Sequence, residues 1–203
     1  MKTLIAIALL SQSLAWGQYK LEAGGAAPVA ADQVAKAGAK IVDGAGKTVA
    51  EVWLRTPIPT GAKSDQQAVT LPEVAHGTFM GLIRFAAKYE DRRGQTIKPG
   101  TYTLRYSYFP QNGDHQGVAP QRDFLLLTPV EADPDLAKNP TFEQLMEMSR
   151  KASGTPHPCV FSFWKEEESF EAGLKQLGEH DWVLYTKDGG IKLGIILVGK
   201  AEG

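Results

Sequence analysis

Short apolar runs alternate with turn residues over most of the chain. The cleanest run follows Lys98-Pro99-Gly100. Tyr102, Leu104, Tyr106 and Tyr108 fall on one side of it, and Thr101, Thr103, Arg105 and Ser107 on the other. A period of two places these sets on opposite faces of a half-buried β-strand. Upstream, residues 79–89 put Phe79, Gly81, Ile83, Phe85 and Tyr89 on one face, with Arg84 and Lys88 opposite. Asp43-Gly44 ends an earlier apolar run, and residues 48–56 follow as its hairpin partner. Residues 123–130, 158–164, 181–186 and 191–198 predict further strands, the last two joined by Asp188-Gly189-Gly190.

One segment has helical period instead. Pro140 and Thr141 open it, and Thr141 with Gln144 matches a capping box. Phe142, Leu145, Met146 and Ser149 share a face, and Gly154 is a C-terminal stop. Asp133-Pro134-Asp135 predicts a short helical turn just before it. Many short strands, frequent turns and one lateral helix over residues 141–153 predict a mainly β fold, a single antiparallel β-sandwich spanning residues 41–203. Its buried set should include Tyr102, Leu104, Tyr106, Phe124, Leu126, Leu184 and Ile195. Residues 18–40, rich in Ala and Gly, form a lead-in that is either flexible or built for small-residue packing.

The first seventeen residues carry a different pattern. Met1-Lys2 is a short positive start, residues 4–10 are an apolar run too short to span a bilayer, and Ala15-Trp16-Gly17 offers small residues at a cleavage site. Together they predict a secretory signal peptide and a periplasmic or secreted protein. No Cys lies near the cut, so no lipid anchor is expected. Cleavage leaves 186 of the 203 residues, enough for one domain with its own core. It removes one lysine from 22 basic residues against 23 acidic, for a mature balance of −2. That near-neutral charge gives no footprint for nucleic acid or an anionic membrane, and no membrane insertion is expected after cleavage. Cys159 is the sole cysteine, so no internal disulfide forms, and its strand-like surroundings predict a buried thiol.

The chain has no Gly-x-Ser-x-Gly elbow and no His-Glu-x-x-His. Gly44-Ala45-Gly46-Lys47-Thr48 ends like a phosphate loop, but the motif needs glycine where Ile41 stands. A Gly-rich hairpin turn remains. The stretch that stands out is residues 111–121, a long connection between two strands. It holds Asp114, His115 and Gln116, with Arg122 and Asp123 at its exit. Long loops on a rigid sheet often carry function, and the same loop could simply pack over one end of the fold. Trp53 shares a face with Glu51 and Arg55, opposite Ala50, Val52 and Leu54. On that polar face it either stacks a sugar ring or lies under a neighbouring loop. The candidate ligand-binding residues are therefore Asp114, His115, Gln116, Arg122 and Trp53. His76, His115, His157 and His180 follow no metal spacing, so no metal ligand, catalytic residue or cofactor is assigned.

Three blocks carry a resemblance. They are residues 94–106, with Lys98-Pro99-Gly100-Thr101-Tyr102 at their centre, residues 112–117 with 122–127, and residues 149–158. Over residues 41–198 the chain resembles a group of uncharacterised secreted β-rich proteins from soil bacteria of the acidobacterial type. The resemblance implies a compartment and a β-rich fold, and no activity.

These observations point to a secreted or periplasmic, non-enzymatic β-sandwich that binds a glycan or an envelope protein. Two other readings remain open. One is a hydrolase using His115 with a carboxylate from another loop. The other is a copper handler using the histidines with Met80, Met146 or Met148. The signal peptide makes the first testable prediction. N-terminal sequencing of exported protein should begin near Gln18, and Met1 retained in that fraction would overturn the export reading.

Overall fold

The computed structural model describes residues 18–29, 31–111 and 121–200. The predicted signal segment and the tip of the long loop lie outside them. In chain order the strands are β1 (Lys20–Ala23), β2 (Ala39–Val42), β3 (Thr48–Leu54), β4 (Phe79–Phe85), β5 (Tyr89–Glu90), β6 (Thr96–Ile97), β7 (Gly100–Tyr108) and β8 (Asp123–Pro129). A short 3-10 turn (Val130–Ala132) and helix α1 (Phe142–Ser153) follow. The last strands are β9 (Val160–Lys165), β10 (Gly173–Leu177), β11 (Asp181–Asp188) and β12 (Ile191–Val198).

The fold is mainly β and antiparallel, with one lateral helix, as the periodicity predicts. The sandwich needs correction. Ten strands follow one unbroken order, β1-β2-β3-β4-β7-β8-β9-β12-β11-β10, and only the β5–β6 hairpin stands apart. β9 makes the corner: Val160 to Ser162 pair with β8, and Phe163 to Lys165 with β12. The sheet curls until β1 approaches β10, with Tyr19 edge-on to Trp182 at 5.5 Å. The result is a near-closed, barrel-like sheet rather than two distinct facing sheets.

The inner face holds the main core. Val52, Ile83, Phe85, Leu104, Tyr106, Leu125, Phe161, Leu184 and Ile195 all lie in it. All seven residues predicted to be buried are buried. Two of them point the other way, however. Phe124 and Leu126 pack outside the sheet with Val160, under Leu145 and Met146 of α1. β8 is therefore apolar on both faces, as a doubly covered strand should be.

The helix forms as its signals specify. The Thr141–Gln144 capping box is complete, and Gly154 closes the last turn in the left-handed conformation. Ser149 docks it: its hydroxyl accepts the Cys159 N–H at 3.0 Å and donates to the Cys159 carbonyl at 3.2 Å. Phe142, expected on the buried stripe, is exposed at the helix start, where its ring meets that of His76.

β4 departs from strict alternation. A bulge between Phe79 and Gly81 shifts the register by one, so Phe79 joins Leu82 outside while Met80 and Ile83 face in. The Ala/Gly-rich lead-in is ordered packing. It contributes β1 and then a strap, residues 24–29 and 31–38, lying over Trp53, Phe79 and Leu82. Gly38 allows this approach, since a Cβ there would stand 2.8 Å from the indole of Trp53.

Leu104 sits at the centre of the inner core. Leu104→Ala should cost about 2–5 kcal/mol, the usual range for a core leucine. Urea denaturation measures it, and a loss under about half a kcal/mol would mean the inner face of β7 has been misassigned.

Candidate functional site

Asp114, His115 and Gln116 lie outside the described residues. The base of their loop is described, and it is tightly bound. Arg122 donates through Nε to the Phe109 carbonyl at 2.5 Å, through Nη1 to the Gln67 carbonyl, and through Nη2 to Gln66 Oε1 at 2.8 Å. Its guanidinium also lies 5.2 Å from the Tyr108 ring centre. Asp123 accepts the Thr70 N–H at 2.8 Å and the Tyr106 hydroxyl at 2.5 Å. Burial, and then this carboxylate, push the Tyr106 pKa far up. Arg122 and Asp123 thus staple the loop base to residues 66–71. Each of the three guanidinium nitrogens of Arg122 thus has one acceptor within the protein.

Trp53 is fully buried beneath the strap. Its indole N–H donates to the Gly25 carbonyl at 2.9 Å, and Arg84 stands 5.5 Å over its ring. Glu51, also buried, accepts the Gly25 N–H at 2.5 Å and pairs with Arg84. The face of β3 that reads as polar is therefore an interior layer. Of the two alternatives for Trp53, the structure places it under a neighbouring loop, with no ring face open to a sugar.

The polar side of β7 is interior as well. Arg105 is fully buried, and each of its N–H groups has an acceptor. Nε and Nη2 bind the Asp133 carboxylate at 2.8 and 2.6 Å. Nη1 donates to the carbonyls of Gly77 and Lys138, and Nη2 also to that of Asp135, all at 2.9 Å. Thr103 adds a hydrogen bond to Asp133 at 2.5 Å. A guanidinium carries five donors, so nothing is left for a ligand.

Among the hollows lined by described residues, three bear on a ligand. One, of about 370 Å³, lies between α1 and residues 132–140, floored by Met148 and the two prolines Pro134 and Pro140. It has no aromatic wall. A second, of about 530 Å³, is bounded by Glu51 and Arg84, whose charges are committed to each other. The third, of about 300 Å³, sits at one end of the sheet where β1 meets β10 and β11. Half-buried Tyr19 and Trp182 form its aromatic wall, and Glu90, Gln176, Glu179, His180 and Lys200 bring polar groups. Burial, then Asp43, raise the Tyr19 pKa, so the phenol stays a hydrogen-bond donor. Arg92 binds Asp181 at 2.7 Å, and the Tyr89 hydroxyl binds the Leu197 carbonyl, so the β5–β6 hairpin braces this end.

The periodicity locates Asp181 to Thr186 as a strand but does not single out Trp182. The available signal was an aromatic at a strand start directly after Glu179-His180-Asp181. Tyr19 and Gln176 carried no local signal, because the fold alone brings them there.

Among the described residues, no three His, Cys, Asp or Glu side chains gather to hold a metal ion. Met80 lies in the inner core and Met146 on α1, outside the sheet, so those two cannot share a copper ion. His76 is wedged between Tyr108 and Phe142, and His157 is exposed. Burial lowers the His76 pKa, against the opposing pull of Glu143 and the Pro140 carbonyl. Cys159 is buried as expected, and burial, then Asp91, raise its thiol pKa.

The Arg105–Asp133 pair gives a sharp test. Asp133→Ala leaves a buried guanidinium uncompensated and should cost about 3–5 kcal/mol in urea denaturation. A loss below about 1 kcal/mol would show that water reaches Arg105. No family model matches this chain, and no match was found for it among curated proteins or solved structures.

Proposed function

We propose that the protein is an exported, non-enzymatic binding module whose ligand is a small glycan held at the β1/β10 end of the sheet. The observation that carries this is the pairing of Trp182 and Tyr19 in a hollow ringed by amide, carboxylate, imidazole and ammonium groups. A sugar ring presents apolar C–H faces and a rim of hydroxyls. An aromatic wall takes the first, and convergent polar side chains take the second. At about 300 Å³ the hollow is at the small end of ligand sites, which favours a mono- or disaccharide over a polymer. The signal-like first seventeen residues support export, where such ligands are met.

Calorimetric titration with glucose, N-acetylglucosamine, maltose and cellobiose tests the reading. At least one should bind, and Trp182→Ala should weaken it about tenfold, near 1.4 kcal/mol. The variant should keep the parent's circular dichroism. The sugars should be recovered intact. Binding unaffected by Trp182→Ala would place the site elsewhere, hydrolysis would make the protein an enzyme, and no binding to any of the four would overturn the glycan reading.

A further inference from the structure

We infer that the seam between β1 and β10 is a closable element, zipped by direct antiparallel pairing, and that ligand at its mouth drives the closure. The ligand half rests on the proposed glycan site.

Polarity comes first. Every neighbouring pair around the ten-stranded order is antiparallel. With an even number of strands, the first and last also run antiparallel. β1 can therefore pair with β10 directly. A single inserted strand would be parallel to one edge and antiparallel to the other, so the seam fits its own two edges better than a foreign strand.

The seam also leaves a mark on burial. Leu21 stands directly across from Ile41, and such partners share a face. Ile41 is 0 % exposed in the inner core, yet Leu21 is 39 % exposed. An inward leucine is wet because the edge beside it is open. Closure would cover it.

Faces and charges select a register. On β1, Leu21 lies on the inner side and Lys20 and Glu22 on the outer. On β10, Leu174 packs on the inner core, so Gln176 shares its side and Gly173, Lys175 and Leu177 lie outside. Matching faces leaves two close registers. One sets Lys20 against Lys175, a like-charge pair. The other sets Glu22 against Lys175 and Leu21 against Gln176. Glu22 and Lys175 now hold only surface pairs, with Lys40 at 3.1 Å and Glu171 at 3.3 Å, which yield readily.

The mouth then couples to the seam. Tyr19 comes from the β1 side, and Gln176 and Trp182 from the β10 and β11 side. A ligand touching both sides makes more contacts when they draw together. That difference in affinity between open and closed states shifts the population toward closed. By reciprocity, a seam locked shut must bind the ligand more tightly.

Cysteine pairs at these exposed positions test both halves. Glu22→Cys with Lys175→Cys should form a disulfide under mild oxidant at least tenfold faster than Lys20→Cys with Lys175→Cys, the pair that the like-charge register would bring together. Buried Cys159 does not compete. Whichever of maltose or cellobiose binds the parent should speed the first pair further, and the cross-linked protein should bind it at least fivefold more tightly. Equal rates for the two pairs, or a faster 20/175 pair, would overturn the register. A sugar that binds but changes neither rate nor affinity on cross-linking would overturn the coupling and leave the glycan site standing. No sugar binding at all sinks the site and with it the coupling, while the two rates still decide the register.

Discussion

A charge that cannot reach water organises the outer side of this protein. Arg105 lies on a strand face that is sealed over, and leaving it unsatisfied there would cost more than most single contacts return. The chain answers with a carboxylate and three backbone carbonyls. Those acceptors come from Gly77, before β4, and from residues 133–138, between β8 and α1. The turn after β8 therefore cannot wander, and the helix that follows starts from a fixed point. Its placement lets Leu145 and Met146 cover Phe124 and Leu126, and lets Ser149 clasp Cys159. The packing of the helix follows from this one buried cation.

The inner face was legible in the chain because a period of two reports burial directly. Tyr102, Leu104 and Tyr106 needed nothing but alternation. The outer face was not legible in the same way. Thr103, Arg105 and Ser107 read as the polar side of a half-buried strand, and the side of Glu51 and Trp53 could be read as open or covered, because alternation says which residues share a side but not whether that side is later covered. What covers it comes from the strap and from residues 130–138, far away in sequence. The bulge in β4 was hidden for a related reason: it turns Phe79 outward where Trp53 and the strap receive it. β10, with Leu174 as its one apolar side chain on the inner side, has too little apolar pattern to declare itself.

The candidate site was harder to read than the fold for the same physical cause. Loop length and polar density drew attention to residues 111–122. Of that set, Arg122 serves the loop's own base. The residues that do form an open aromatic hollow are far apart in the chain and meet because the sheet curls on itself. Closure of a sheet is a global property, and no local window of residues displays it.

Cys159 has a consequence of a different kind. It is the single cysteine, its backbone clasped by the Ser149 hydroxyl and its buried thiol held protonated by burial and by the Asp91 carboxylate. A thiol reagent can meet it only when the helix lifts or the core opens. Its labelling rate is thus an intrinsic clock for that opening, separate from events at the far edges of the sheet. The protein carries its own reporter, able to tell a breathing interior from a moving rim without any added probe.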